Sequence, residues 1–145
     1  YGYSPYANGD KNLIPVMTLA TNVIAIRNVK KGVGVSYNHK YITTRPTFLA
    51  TIPLGYGDGI RRDLSNKLIV TINGKNYPQR GTITMDLMMI EVDEDVKVGD
   101  EVIVFGRDEE CINSAETLAK LSNTISYEIT TAISDRVDKI VIGTF

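Results

Sequence analysis

Apolar and polar residues alternate through most of the first 106 positions of this chain, and the alternation breaks at glycine, proline and asparagine. That is the period of half-buried strands. "VMTLATNVIAIRNVKKG" (16–32) predicts one long strand ending in a turn, "VGVSYN" (33–38) a short second one, and "TFLATIPLGYG" (47–57) a third closed by glycines. In "KLIVTINGKNYPQ" (67–79), Asn73-Gly74 between two apolar runs is the strongest short-range hairpin signal. "GTITMDLMMIEV" (81–92) alternates again, and "KVGDEVIVFG" (97–106) is a turn feeding another strand. Beyond Phe105 the period changes. Ala115, Leu118, Ala119 and Leu121 recur at helical spacing behind Ser114, a ready N-cap. A second helix is expected over 126–133, and "DKIVIGTF" (138–145) reads as a final strand. About seven strands and two short helices predict a mainly β fold: a small antiparallel, barrel-like domain with one or two short helices.

Length and composition narrow the function only by exclusion. A chain of 145 residues fits one domain with a real core. Net charge is −1, which gives no electrostatic footprint for nucleic acid or for a membrane surface. No apolar run approaches the length of a membrane span. The single cysteine, Cys111, has no internal partner, in keeping with a reducing compartment. The one histidine, His39, and the scattered Asp58, Asp63 and Asp86 show no metal-ligand spacing, so no metal is expected. "GYGDGIRR" (55–62) has neither dinucleotide-fingerprint nor P-loop spacing and reads as a turn that leaves Tyr56 exposed at a strand end. Residues 1–12, "YGYSPYANGDKN", read as a linker. A chain that starts at Tyr1 rather than Met is read as a piece of a longer one.

Tyrosine is the unusual supply: eight, against three Phe and no Trp. Most are expected at the edge of the core, where an amphipathic ring suits. Tyr37 is set apart by its place between a strand-like run and the polar "NHK". A tyrosine base needs its phenol acidified from about 10, which takes nearby positive charge or strong donors. The neighbouring "SYNHKY" does not guarantee these.

Five ordered segments carry a resemblance. "YGYSP", "KKGVGVSYN", "IPLGYGDGIRR", "RGTITMD" and "SYEITTAISDRV" are similar, in order and spacing, to the C-terminal β-domain of bacterial alanine racemases. The resemblance implies a domain over 13–145, with 1–12 leaving an N-terminal barrel domain. It implies racemisation of L- and D-alanine through an imine of pyridoxal 5′-phosphate (PLP), whose lysine lies outside this chain. It makes Tyr37 the base on one face of the substrate, Met85 the residue whose backbone helps hold the substrate carboxylate, and Tyr127 a ligand of the cofactor phosphate. Tyr56, Arg62 and Ile125 match the substrate entryway. In the family these serve two active sites of a homodimer: Tyr37, Tyr56 and Met85 serve the partner's cofactor, and Tyr127 its own. Arginine and histidine donors to the tyrosine come from the barrel. The implied enzyme is cytoplasmic and makes D-alanine for peptidoglycan, while the fragment alone is expected to be inactive.

Three positions depart from the family pattern. Asn38 stands for the usual glycine, Thr82 for a common arginine and Gly57 for alanine. Two rivals remain open. Serine racemases of the glycopeptide-resistance type are similar but tend to carry Asn at the position of Tyr127. A stand-alone barrel that binds oligonucleotides would need aromatics beside cations, which Tyr37, His39, Lys40 and Tyr41 imitate. The slightly acidic balance and the full motif set oppose the second.

Overall fold

A computed structural model describes residues 2–3, 13–106 and 112–143. Nine strands form: β1 (Leu19–Asn22), β2 (Ala25–Val29), β3 (Gly34–Val35), β4 (Tyr41–Ile42), β5 (Thr47–Ile52), β6 (Ile69–Ile72), β7 (Lys75–Arg80), β8 (Met88–Val92) and β9 (Glu101–Phe105). Seven of them make one antiparallel sheet in the order β1-β9-β6-β7-β8-β5-β2, and β3 pairs only with β4.

The sheet curls until its two edges meet. The single long strand expected over 16–32 is two strands, because the segment changes partners midway: β1 pairs with β9 and β2 with β5. At the changeover Val23 N–H donates to the Asp100 carbonyl and Ile24 N–H to the Thr51 carbonyl, both at 2.9 Å. One continuous segment therefore bonds both ends of the sheet and closes it. β1 and β2, the two ends of the strand order, each pair with a single neighbour.

Alternation places the core. Ala50 and Ile52, Val70 and Ile72, Met88 and Ile90, and Val102 and Val104 point inward and are fully buried. Each of these side chains larger than alanine contributes roughly 1.5–3 kcal/mol relative to exposure. The Asn73-Gly74 hairpin forms as expected, with Ile72 opposite Lys75 and both turn residues in left-handed backbone (φ 50° and 72°). Helix α1 (Ala115–Leu121) is capped by Ser114, whose Oγ accepts from Thr117 N–H, and α2 (Ser126–Thr131) follows it. Ala115, Leu118, Ala119, Ile129 and Ile133 join the same core.

Two further expectations need correction. Of the strand expected over 81–92, only 88–92 is strand, because residues 84–87 turn back on themselves: Thr84 N–H donates to the Leu87 carbonyl and its hydroxyl to the same oxygen. Residues 138–143 form no strand; Ile140, Val141 and Ile142 are exposed and pair with no ladder. Residues 144–145 lie outside the described residues, as does the expected linker over 1–12 apart from Gly2 and Tyr3.

Candidate active site

Tyr37 sits on a short turn of 3-10 type (Tyr37–His39) that joins β3 to β4. The residue is 69% exposed and takes no part in this domain's core. The backbone around it is strained. Ser36 has φ 60° and ψ −167°, a region used almost only by glycine, while Asn38 (φ 59°) and His39 (φ 46°) are left-handed. Asparagine tolerates this conformation better than other non-glycine residues, so Asn38 supports the backbone that glycine would adopt there.

Contacts from outside the turn hold it. Ser36 Oγ donates to the Thr82 carbonyl at 2.6 Å, and Thr82 Oγ1 donates to the Tyr37 carbonyl at 3.0 Å. Farther back, Tyr41 donates to Glu91, a buried carboxylate that also receives Arg80 Nε at 2.7 Å and Thr47 Oγ1 at 3.3 Å. The Arg80 guanidinium lies 4.5 Å over the Tyr41 ring. Burial works to raise the Glu91 carboxyl, but the hydrogen bonds from Arg80 and Tyr41 outweigh it and hold the group below its usual range. This cluster pins the Tyr37-bearing hairpin to the main sheet.

Tyr37 shares a cleft of about 270 Å³ with Tyr56, Arg62, Ile83, Thr84, Met85 and Asp86. Two loops face each other across it. Tyr56 N–H donates to the Thr84 carbonyl and Gly57 N–H to the Met85 carbonyl, each at 2.9 Å. Asp58 folds its own loop by accepting from Gly55 N–H at 2.8 Å. "GYGDG" is thus a strand-ending turn bonded to the next loop, as the sequence predicts. With its carbonyl engaged, Met85 presents an N–H that makes no hydrogen bond among the described residues.

Arg136 is the residue that sequence reasoning missed. Its Nε meets Asp58 at 3.3 Å and its Nη2 meets Asp86 at 2.6 Å, so one guanidinium ties both walls of the cleft together. It crosses directly over Gly57, where a Cβ would fall 2.2 Å from Nη1. An alanine there, as in the family pattern, would need the half-exposed guanidinium to shift. The "DRV" motif contained the signal, but sequence does not show which carboxylates an arginine will bridge.

Tyr127 and Ile125 do not line this cleft. Ile125 is the N-cap of α2 and 63% exposed. Tyr127 is half-buried on α2, and its hydroxyl donates to the Tyr3 carbonyl at 3.2 Å. Glu128 of the same helix pairs with Arg61 at 3.1 Å, which fastens α2 to the segment preceding Arg62. Among the described residues, no group of three or more His, Cys, Asp and Glu gathers, and no helix is long and apolar enough to cross a membrane. His39 is exposed, and Cys111 lies outside the described residues.

A profile described as "Alanine racemase, C-terminal domain" matches residues 16–141. The chain belongs to this family. As an alanine racemase C-terminal domain, it is 42% identical over 147 residues to alanine racemase 1 of Clostridium acetobutylicum and 40% identical over 146 residues to the alanine racemase of Cutibacterium acnes. Those alignments cover 98% and 99% of this chain but only 38% and 39% of the relatives. Among solved structures, alanine racemase from Bacillus anthracis with bound L-Ala-P superposes with a TM-score of 0.87 at 42% identity, over 94% of this chain and 36% of that one. The enzyme of Clostridium difficile 630 in complex with cycloserine gives 0.85, also at 42% identity, over 95% and 37%. The mainly β, barrel-like class expected from the strand pattern is the architecture these relatives share with it.

Proposed function

We propose that this domain completes the active site of a PLP-dependent alanine racemase, with Tyr37 as the base on one face of the substrate. The carrying observation is one cleft that joins an exposed phenol on a clasped turn, an arginine and a backbone N–H without a hydrogen bond among the described residues. The PLP fit is partial, as expected of a shared site. No lysine among the described residues lines the cleft, and the family resemblance puts covalent attachment in the N-terminal barrel domain. Tyr127, away from the cleft, suits the phosphate of a second copy of the cofactor, which favours a homodimer with each site built by two chains. PLP, when bound, supplies the electron sink that makes the α-proton removable.

This chain's own residues then have distinct tasks. Met85 N–H receives the alanine carboxylate and sets the α-carbon before Tyr37. Tyr37 Oη takes or returns the α-proton on its face, while the lysine of the barrel domain serves the opposite face. Racemisation needs both, since a proton returned to the face it left restores the same enantiomer. Among the described residues Arg62 is the one cation lining the cleft, and the family pattern supplies the remaining donors to a tyrosinate from the barrel. Tyr56 and Arg62 border the route of the substrate within the cleft, and Ile125, outside the cleft on α2, matches the family's entryway. Relatives at 40–42% identity are alanine rather than serine racemases, which supports alanine as the substrate. The setting is a cytoplasmic enzyme that supplies D-alanine to peptidoglycan, with residues 1–12 as the linker to the barrel.

The test is α-proton exchange in deuterated water, one enantiomer at a time, in the full-length enzyme. Tyr37→Phe is expected to slow exchange from L-alanine on the order of a hundredfold or more, and to leave exchange from D-alanine. Wild-type exchange from both enantiomers in that variant would refute the assignment.

A further inference from the structure

We propose that Thr82 is the positioning residue for Tyr37, holding it at the α-carbon through a two-hydroxyl clasp with Ser36. The inference rests on Tyr37 being the base.

The turn does not hold its own shape. Within 36–40 the only backbone bond is His39 N–H to the Ser36 carbonyl, long at 3.4 Å. Three of its residues occupy positive φ. Such a conformation persists only when its surroundings impose it. Two hydrogen bonds join the turn to residue 82, and they run in opposite directions: Ser36 Oγ to the Thr82 carbonyl, Thr82 Oγ1 to the Tyr37 carbonyl. The second ends on the peptide of Tyr37 itself. It therefore fixes the direction in which the Cα–Cβ bond leaves the chain, and with it the reach of the phenol.

The other end of the clasp is firm. Thr82 is 2% exposed. Gly81 before it is left-handed and lies so close that an added Cβ would stand 2.5 Å from the Val35 carbonyl. Ile83, after it, is fully buried, and its N–H is held by Ser65 Oγ at 3.0 Å. Thr82 itself does not line the cleft, so it acts on the reaction only through Tyr37. Displacement of a reacting group by about 1 Å costs on the order of a hundredfold, so the loss of one of two clasps should cost about tenfold.

The experiment compares Thr82→Val, which keeps the shape and removes the hydroxyl, with Thr82→Ser, which keeps the hydroxyl, in the full-length holoenzyme. Thr82→Val is expected to lower kcat about tenfold while the alanine KM stays within about twofold. Its loss should fall on exchange from L-alanine and spare exchange from D-alanine. Thr82→Ser should recover kcat to within about twofold of wild type. Placed on Tyr37→Phe, Thr82→Val should add no further loss, since residues that act as a unit are not additive. Amide hydrogen exchange at Asn38 and His39 should quicken in Thr82→Val while the sheet stays protected.

Equal activity of Thr82→Val and wild type, beside a crippled Tyr37→Phe, would overturn the clasp and leave the base in place. A neutral Tyr37→Phe would overturn both. Equal losses from both enantiomers in Thr82→Val would mean general damage and also refute it. If Thr82→Val does not fold, Ser36→Ala opens the clasp from the other side; the same one-sided loss is expected, and wild-type kcat would refute the inference.

Discussion

Two turns in this domain use left-handed backbone and achieve it in opposite ways. At the β6–β7 hairpin the residues suit the geometry: Asn73 and Gly74 tolerate positive φ, and the outside contact, Asn73 Nδ2 to Asp100 at 2.8 Å, is an exposed one. At the β3–β4 hairpin they do not. Among the described residues six non-glycine positions have positive φ; four are asparagines, and the other two, Ser36 and His39, flank Tyr37. The first turn stabilises the fold. The second is held by Thr82 and, through Tyr41, by Glu91, and it exposes a phenol. Local rules are followed where the backbone serves stability alone and broken where it serves a site, with tertiary contacts offsetting the strain.

The comparison breaks or sharpens at four points. Tyr37→Phe should lose on the order of a hundredfold in racemisation with no change in melting temperature. Glu91→Gln should cost about 2 kcal/mol at neutral pH, because it removes an ionised acceptor from a buried network. Its sign with pH is fixed. The Glu91 carboxyl is depressed in the folded chain, so its stabilisation is full above about pH 4.3 and fades as pH falls through the folded value. Acid titration followed by circular dichroism should therefore show Glu91→Gln losing less stability than wild type as pH falls below the ordinary carboxylate value of about 4.3. Gly74→Ala, at φ 72°, should cost about 1–2 kcal/mol in denaturant unfolding and leave kcat unchanged. Asn38→Gly should be smallest, within about 0.5 kcal/mol, since relief of left-handed strain is offset by a floppier unfolded chain. A larger loss there would mean that the Tyr37 turn depends on its own residue types after all.

Much of the fold was legible because its signals are local. Period-two runs, Asn73-Gly74 and the Ser114 cap each act over a few residues, and the hairpin and the cap appear where expected. The long strand over 16–32 was misread in one respect, since its change of partner at Val23 depends on β9, some eighty residues away. The apolar run 138–142 looked like a strand because composition alone does not say whether a ladder is available to receive it. For the site, the motifs brought Tyr37, Tyr56, Arg62 and Met85 together, and the cleft contains all four. Arg136 and the Thr82 clasp were hidden for a common reason. Each works by joining segments about fifty residues apart through ordinary polar atoms, and no spacing rule marks such pairs.

Closure of the sheet has a consequence for biosynthesis. The β1 strand can pair only with β9, and β9 is also what covers β6. A ribosome that has delivered residue 22 must add about eighty more residues before β9 emerges, roughly 4–16 s at 5–20 residues per second. β1 waits through the whole interval for its partner, and β6 waits beside it from the time residue 72 is made. Arrival of residues 101–105 seals both in one event.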